Sequence, residues 1–191
     1  NIIESGSKKI MGKTPPSIEF KNVSFRYPGS DRYVFKDLNL TINSGEEIAI
    51  VGENGAGKST MIKLICCFYY PESGQILIGG IDSRLLNLHS WYKHLAYLTQ
   101  EFNNFTNMSL SDNVTIGDPS KKVSESEVLS ALKNADAKFW QKYKNGLATR
   151  MSQRYGGEEP SLGQWQKISI ARIFYRDSSV MILDEPTASI D

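Results

Sequence analysis

One run of eight residues could do chemistry on its own: Gly52-Glu53-Asn54-Gly55-Ala56-Gly57-Lys58-Ser59. It fits the pattern G-x-x-x-x-G-K-[ST], in which a glycine-rich turn wraps an anion. Glycines suit that task because no Cβ blocks a close approach or a positive φ. The N–H groups at the start of the next helix, Thr60 included, would point at phosphate oxygens, and the helix dipole would add to their field. Lys58 would neutralise the outer phosphates of a nucleoside triphosphate. The Ser59 hydroxyl would hold Mg²⁺.

A second feature completes that chemistry. The run Val180-Met181-Ile182-Leu183 ends in Asp184-Glu185. Asp184 is placed to hold Mg²⁺, and Glu185 to polarise an attacking water. Strands that end in acids are common, so this segment means little alone. In one chain with a phosphate loop it supplies the missing part, because phosphoryl transfer needs both metal and water positioned.

These residues need elements to hold them. Ile48-Ala49-Ile50-Val51 is continuously apolar and reads as a strand buried on both faces, feeding the loop. Met61, Leu64, Ile65 and Phe68 recur at helical spacing until Pro71, giving the helix behind it. Upstream, Ile18 and Phe20 alternate, then Val23, Phe25 and Tyr27 alternate one residue out of step. The slip predicts a bulge near Lys21-Asn22 in an antiparallel sheet with one wet face. Leu38, Leu40 and Ile42 continue that sheet, Gln75–Ile81 reads as a short strand pair, and Ala96–Thr99 as a further strand. Downstream, Ser124-x-x-Glu127 is a capping-box pattern opening a helix with Val128, Ala131, Leu132 and Ala135. Phe139, Trp140 and Tyr143 continue a helical face, and a last helix spans about Gly163 to Tyr175, with Trp165, Ile168 and Arg172 on one side.

Composition removes several alternatives. The 191 residues carry 22 Lys and Arg against 21 Asp and Glu, so charge gives no case for nucleic acid or an anionic membrane surface. No apolar run approaches the roughly 18 residues of a membrane-spanning helix. Cys66 and Cys67 fall inside the apolar pattern after the loop and read as buried, reduced thiols. His89 and His94 form no metal-ligand cluster with them. Asn1–Ser17 is polar, with Gly6, Gly12, Pro15 and Pro16, and reads as a linker.

Together these motifs resemble an ABC (ATP-binding cassette) ATPase, over nearly the whole chain from about Ser17 to Asp191. Phe25-Arg26-Tyr27-Pro28 resembles the segment whose aromatic ring stacks on adenine, which makes Tyr27 the candidate. Gln100, just after the strand at 96–99, stands where the family has its Q-loop glutamine beside Mg²⁺. Pro160-Ser161-Leu162-Gly163-Gln164 stands where the family has L-S-G-G-Q. Ser161, Gly163 and Gln164 match; Pro160 and Leu162 depart. In the family this signature caps the γ-phosphate held by a second cassette. Ala188-Ser189-Ile190-Asp191 resembles the D-loop that touches the partner.

The resemblance implies an α/β fold: a P-loop NTPase (RecA-like) core sheet, an N-terminal antiparallel β-subdomain, and an inserted helical subdomain at about 101–165. Residues 1–17 would link a preceding membrane domain to an ATP-binding domain at 18–191, incomplete at its C-terminal side where a switch histidine would follow. It implies ATP and Mg²⁺ as ligands, a second cassette and a transmembrane domain of the same polypeptide as partners, no nucleic acid, and a place on the cytoplasmic face of a membrane. Phe25–Pro28, Ser111-Asp112-Asn113-Val114 and Gly163-Gln164-Trp165-Gln166 look like exporter cassettes. The gap of about sixty residues between Gln100 and Pro160 suits a single small helical subdomain, as in transporters, whereas DNA-repair relatives carry a long coiled coil between the two halves of the ATPase. A non-transport ABC ATPase of translation or DNA-repair type, or a degenerate cassette with little hydrolysis, are the alternatives. This chain alone is expected to turn over ATP weakly or not at all.

Overall fold

The computed structural model describes residues 5–99 and 103–184. The chain divides into two compact units, Asn1–Leu95 and Ala96–Asp191.

The first unit is built on a four-stranded sheet. Strands β1 (Ile18–Phe25), β2 (Phe35–Ile42), β3 (Ser73–Ile78) and β4 (Ile81–Asp82) lie in the order β2-β1-β3-β4, all antiparallel. The slip expected near Lys21-Asn22 is a bulge. The β1–β2 register shifts between Phe20 and Val23, and the β1–β3 register between Lys21 and Ser24. Asn22 takes the extra residue at φ 49°, a left-handed conformation that asparagine accepts better than most residues. Its N–H donates to Asn39 Oδ1 at 2.9 Å, and Asn39 Nδ2 donates back to Asn22 Oδ1 at 3.0 Å. The bulge puts Phe20, Val23 and Phe25 all into the core despite their broken alternation.

Helix α1 (Lys58–Ile65) packs Ile62, Leu64 and Ile65 inward, followed by the buried Cys66 and Cys67. Both thiols are free, and burial pushes each up to about 12, so they are inert neutral groups. Helix α2 (Leu88–His94) is capped by Asn87, whose Oδ1 accepts from Ser90 N at 2.9 Å. Its fully buried Trp91 donates from Nε1 to the Ile65 carbonyl at 2.9 Å, satisfying the last turn of α1. The polar lead-in is bonded down as well: Gly6 N donates to Leu86 O at 2.9 Å, and Asn87 N to Lys8 O at 2.7 Å.

The apolar run 48–51 departs from expectation. It forms no strand, and Ile48, Ile50 and Val51 are 45%, 37% and 87% exposed. A strand needs neighbours for its backbone groups, and the four strands of this unit pair among themselves.

The second unit joins a strand pair to a helical core. Strand β5 (Leu95–Leu98) begins at the unit boundary and pairs with β6 (Val180–Leu183). Helices α3 (Leu110–Thr115), α4 (Glu125–Asn134) and α5 (Leu162–Arg176) share one apolar core with Leu110, Val114, Leu132, Met151, Trp165 and Ile168 fully or almost fully buried. Phe139, Trp140 and Tyr143 pack against it from a short 3₁₀ turn at Phe139–Lys142 and its end. The capping box expected at Ser124 is not formed. Ser124 precedes α4, but its side chain makes no cap bond and lies 2.9 Å from the Ser126 hydroxyl instead. A nearby hydroxyl competes for the same oxygen.

Trp91 is the tie between α2 and the end of α1. Trp91→Phe removes its N–H and leaves the Ile65 carbonyl buried without that donor. We expect a loss of about 1–3 kcal/mol, read as a lower urea midpoint at unchanged slope.

Candidate functional site

The glycine-rich loop caps the first helix. Gly57 is the N-cap of α1 at φ 98°, and Gly55 has φ 84°. A Cβ built on Gly57 would stand 2.9 Å from the Phe35 ring and 3.0 Å from Val34 Cγ1. Only glycine meets both conditions, so the turn and its packing on the start of β2 select the same residue. No acidic side chain occupies the first turn of α1, and no side chain caps it. Its first N–H groups, like those of any helix, have no carbonyl partner inside the helix.

Lys58 folds back over this loop. Its Nζ donates to the Gly52 carbonyl at 2.6 Å and the Glu53 carbonyl at 3.0 Å. Ala56 N donates to Glu53 O at 3.1 Å, closing the turn. Residues 52–56 are exposed, Ser59 is exposed, and Thr60 is buried. The result is an exposed loop at the start of a helix that no side chain caps, with the Lys58 ammonium bonded to its carbonyls. Gly52, Glu53, Asn54, Gly55, Ala56, Gly57, Lys58 and Ser59 form this turn and the start of α1.

Tyr27 lies in the same unit. Pro28 and Gly29 follow it, Gly29 has φ 80°, and Ser30 N donates to Tyr27 O at 3.0 Å. Proline then glycine at the centre of a four-residue turn is the type II pattern, which needs the positive φ at its third residue. Arg26 secures the turn from the other side with two bonds to Glu72, Nε to Oε2 at 2.8 Å and Nη2 to Oε1 at 3.0 Å. The Glu72 hydrogen bond is the main cause that holds the Arg26 guanidinium above its usual range. The Tyr27 ring is half-buried, with Phe25 and Tyr69 at centroid distances of 5.2 and 5.3 Å and at 77° and 89°. Neither neighbour is stacked parallel on it. Its hydroxyl lies 3.0 Å from Thr60 Oγ1, and Lys63 Nζ donates to it at 3.4 Å.

The second unit carries the remaining described candidates. Ser161 is the N-cap of α5, with a complete capping box. Gln164 N donates to Ser161 Oγ at 3.3 Å, and Ser161 N donates to Gln164 Oε1 at 3.0 Å. Leu162, where a glycine was expected, is the first residue of α5 and its side chain is 61% exposed, turned to solvent. Asp184 follows β6: its N–H donates to Leu98 O at 2.9 Å, and its Oδ2 accepts from Tyr97 at 3.2 Å. Gln100, Glu185 and the 188–191 segment lie outside the described residues.

From sequence, Arg172 is only a helix-face residue and Asn113 only part of a family-like turn; their pairing is not foreseen there. Arg172 on α5 reaches four acceptors: Asn113 O at 2.7 Å, Asn113 Oδ1 at 2.8 Å, Asn103 O at 2.7 Å and Ser169 Oγ at 3.5 Å. Its guanidinium also lies 5.0 Å from the centre of the Phe105 ring. These oxygens are all neutral, and burial brings Arg172 down to about 10, still charged at neutral pH. The buried Asn113 donates to Phe105 O and Ser109 O, at 2.9 and 3.0 Å. The pair ties the chain at 103–105 to both α3 and α5. The sequence signal was a charged residue on the apolar face of a helix. Among the described residues no group of His, Cys, Asp and Glu could hold a metal by itself.

Residues 35–188 match the family described as ABC transporter. The chain belongs to the ABC transporter family. It is 36% identical over 188 residues to the subtilin transport ATP-binding protein SpaT of Bacillus subtilis, covering 97% of this chain and 30% of that protein. It is 36% identical over 191 residues to the alpha-hemolysin translocation ATP-binding protein HlyB of Escherichia coli O157:H7, covering 100% of this chain and 26% of that one. A solved structure of a bacterial Atm1-family ABC exporter with ATP bound matches with TM-score 0.85 and 31% identity, over 100% of this chain and 33% of that chain. The chain therefore spans about a third or less of the length of these relatives. The fold is that of an exporter-like ABC nucleotide-binding domain, a P-loop NTPase with an antiparallel β-subdomain.

The Ser161 cap fixes where α5 of this cassette begins. Ser161→Ala is expected to cost about 1 kcal/mol, read from thermal melts, while Ser161→Thr costs less.

Proposed function

We propose that this cassette binds and hydrolyses ATP to power transport, most directly export, by a longer membrane protein. The observation that carries the reading is the left-handed glycine turn at the start of α1 with Lys58 folded over it. That arrangement favours a polyphosphate and offers little to a neutral ligand.

In this reading Tyr27 gives the adenine a flat apolar face. The backbone of Gly52–Thr60 surrounds the phosphates, and Lys58 leaves the Gly52 and Glu53 carbonyls to meet the β- and γ-phosphates. Ser59, Gln100 and Asp184 supply oxygen donors of the kind Mg²⁺ prefers, and the exposed Ser59 hydroxyl and the Asp184 carboxylate fit that choice. Mg²⁺, when bound, neutralises charge on the phosphate oxygens. Glu185 orients water and takes its proton during in-line attack on the γ-phosphate. Ser161, Gly163 and Gln164 present the N-terminus of α5 to the nucleotide of a second cassette. Closure of two cassettes would reach a transmembrane domain through the helical subdomain, at the cytoplasmic face. Residues 1–17 would connect to that domain, with 18–191 as the cassette and about 101–165 as its helical insert. No helix among the described residues is long and apolar enough to cross a membrane. The membrane part would therefore lie elsewhere in the polypeptide, and it would choose the cargo.

A second reading is a cassette that binds ATP but hydrolyses it slowly. Leu162 and Pro160 favour it, since they replace residues of the family signature. Against it, Leu162 is exposed, so its side chain does not fill the helix start.

The test uses the full-length protein. Lys58→Ala should lower steady-state ATPase by about 10²-fold or more, because a positioned charge on the transferring phosphoryl group is lost; unchanged turnover would refute the site. Glu185→Gln should retain MgATP and hold two cassettes together in light scattering. A variant that stays apart at saturating MgATP would count against the water-activating role.

A further inference from the structure

Two side chains of α1 hold the phenol of Tyr27. Thr60 and Lys63 are three residues apart on one helix, so they project from the same face, one above the other. Thr60 Oγ1 is 3.0 Å from the Tyr27 oxygen, and Lys63 Nζ is 3.4 Å from it. Lys63 also lies 5.4 Å from the ring centre. An ammonium group can only donate, so the phenol oxygen accepts from Lys63 and its own proton is free for Thr60. Thr60 is buried, at 6% exposure, while Tyr27 is half-buried. The hydroxyl of Thr60 is therefore committed inside the unit, at the back of the loop.

Tyr27 itself sits on a turn beyond the end of β1. Phe25 and Tyr69 limit how the ring tilts, but both are apolar edge contacts and allow sliding. The directional restraint is the hydrogen bond to α1. That helix begins at Lys58, so the same rigid turn of backbone carries the phosphate cradle and the anchor of the ring.

We propose that Thr60 is a positioning residue: its hydroxyl fixes the Tyr27 ring at a set distance from the phosphate loop, so that base and phosphates of one nucleotide are met together. The inference rests on Tyr27 being the base platform. It assigns Thr60 a part in recognising the base, distinct from any contact its backbone makes with phosphate. Lys63 supports the same phenol oxygen and leaves the Thr60 bond oriented.

The test separates base from phosphate. Binding of MgATP and of magnesium tripolyphosphate, which has no base, is measured by calorimetry on the full-length protein. Thr60→Val and Tyr27→Phe each remove one half of the hydrogen bond. Each is expected to weaken MgATP about three- to tenfold, the scale of one net hydrogen bond, and Tyr27→Phe, which lies outside the phosphate loop, to leave tripolyphosphate within about twofold. The double variant should be no weaker than Tyr27→Phe alone, since that variant already deletes the Thr60 bond along with the Lys63 one. Thr60→Ser should restore MgATP affinity. A Thr60→Val protein that loses both ligands in parallel would overturn the proposal, because the residue would then serve the phosphates or the fold. So would Thr60→Val and Tyr27→Phe proteins that bind MgATP like the parent while Tyr27→Ala does not. If Tyr27→Ala itself fails to weaken MgATP relative to tripolyphosphate, the platform reading falls, and the proposal with it. Should Thr60→Val not fold, Tyr27→Phe gives the same decision from the other side of the bond.

Discussion

A polyphosphate must be met by many donors at once, in a space with no side chain in the way. In the proposed reading, Gly57 is where this chain meets that demand. It turns left-handed at φ 98°, it begins α1, and the Phe35 ring and Val34 leave it no room for a Cβ. Its conformation starts the helix at the end of the loop, and it packs closely against the first residues of β2. Lys58 follows directly, so the loop's ammonium group is attached next to this constrained backbone. Without an anion, its ammonium is satisfied by the Gly52 and Glu53 carbonyls, 2.6 and 3.0 Å away. Those bonds keep a cation in place over an exposed loop. The neighbouring groups continue this logic. Thr60 and Lys63 on the same helix hold Tyr27, and Trp91 closes the helix at its far end through Ile65.

Much of this was legible because the signals are local. A glycine pattern encodes its own turn, so the phosphate loop was readable residue by residue. The bulge at Asn22 was readable because β-structure has a strict period of two, and a broken alternation has few causes. The signature segment was readable as a helix start, and Ser161 with Gln164 forms the capping box that such a start wants. The run 48–51 shows the opposite case. Its apolar continuity describes what it would bury, but a strand also needs partners, and pairing partners are not written in the run itself. Ser124 failed in a similar way. The spacing of a capping box was present, yet Ser126 offered the hydroxyl a different bond.

The least legible residues were those whose role is set by tertiary contact. Arg172 was visible only as a charge on an apolar helical face. Its meaning lies in Asn113, Asn103 and Phe105, distant in sequence. A buried guanidinium is costly unless its donors are met, and this one is met almost wholly by neutral oxygens. That gives the second unit a polar clamp inside its helical core, joining α3, α5 and the chain that follows the Q-loop position. Lys63 is comparable on a smaller scale. Nothing in its spacing from Lys58 announced that it would lie beside Tyr27.

The central claim is that the loop around Gly57 and Lys58 is a nucleotide site in a folded cassette. Calorimetric titration of the full-length protein with MgATP, with MgADP and MgGTP as comparisons, tests it most directly. The account predicts saturable MgATP binding at one site per cassette, displaced by MgADP. A folded protein that gives no saturable heat with any of the three nucleotides would contradict it.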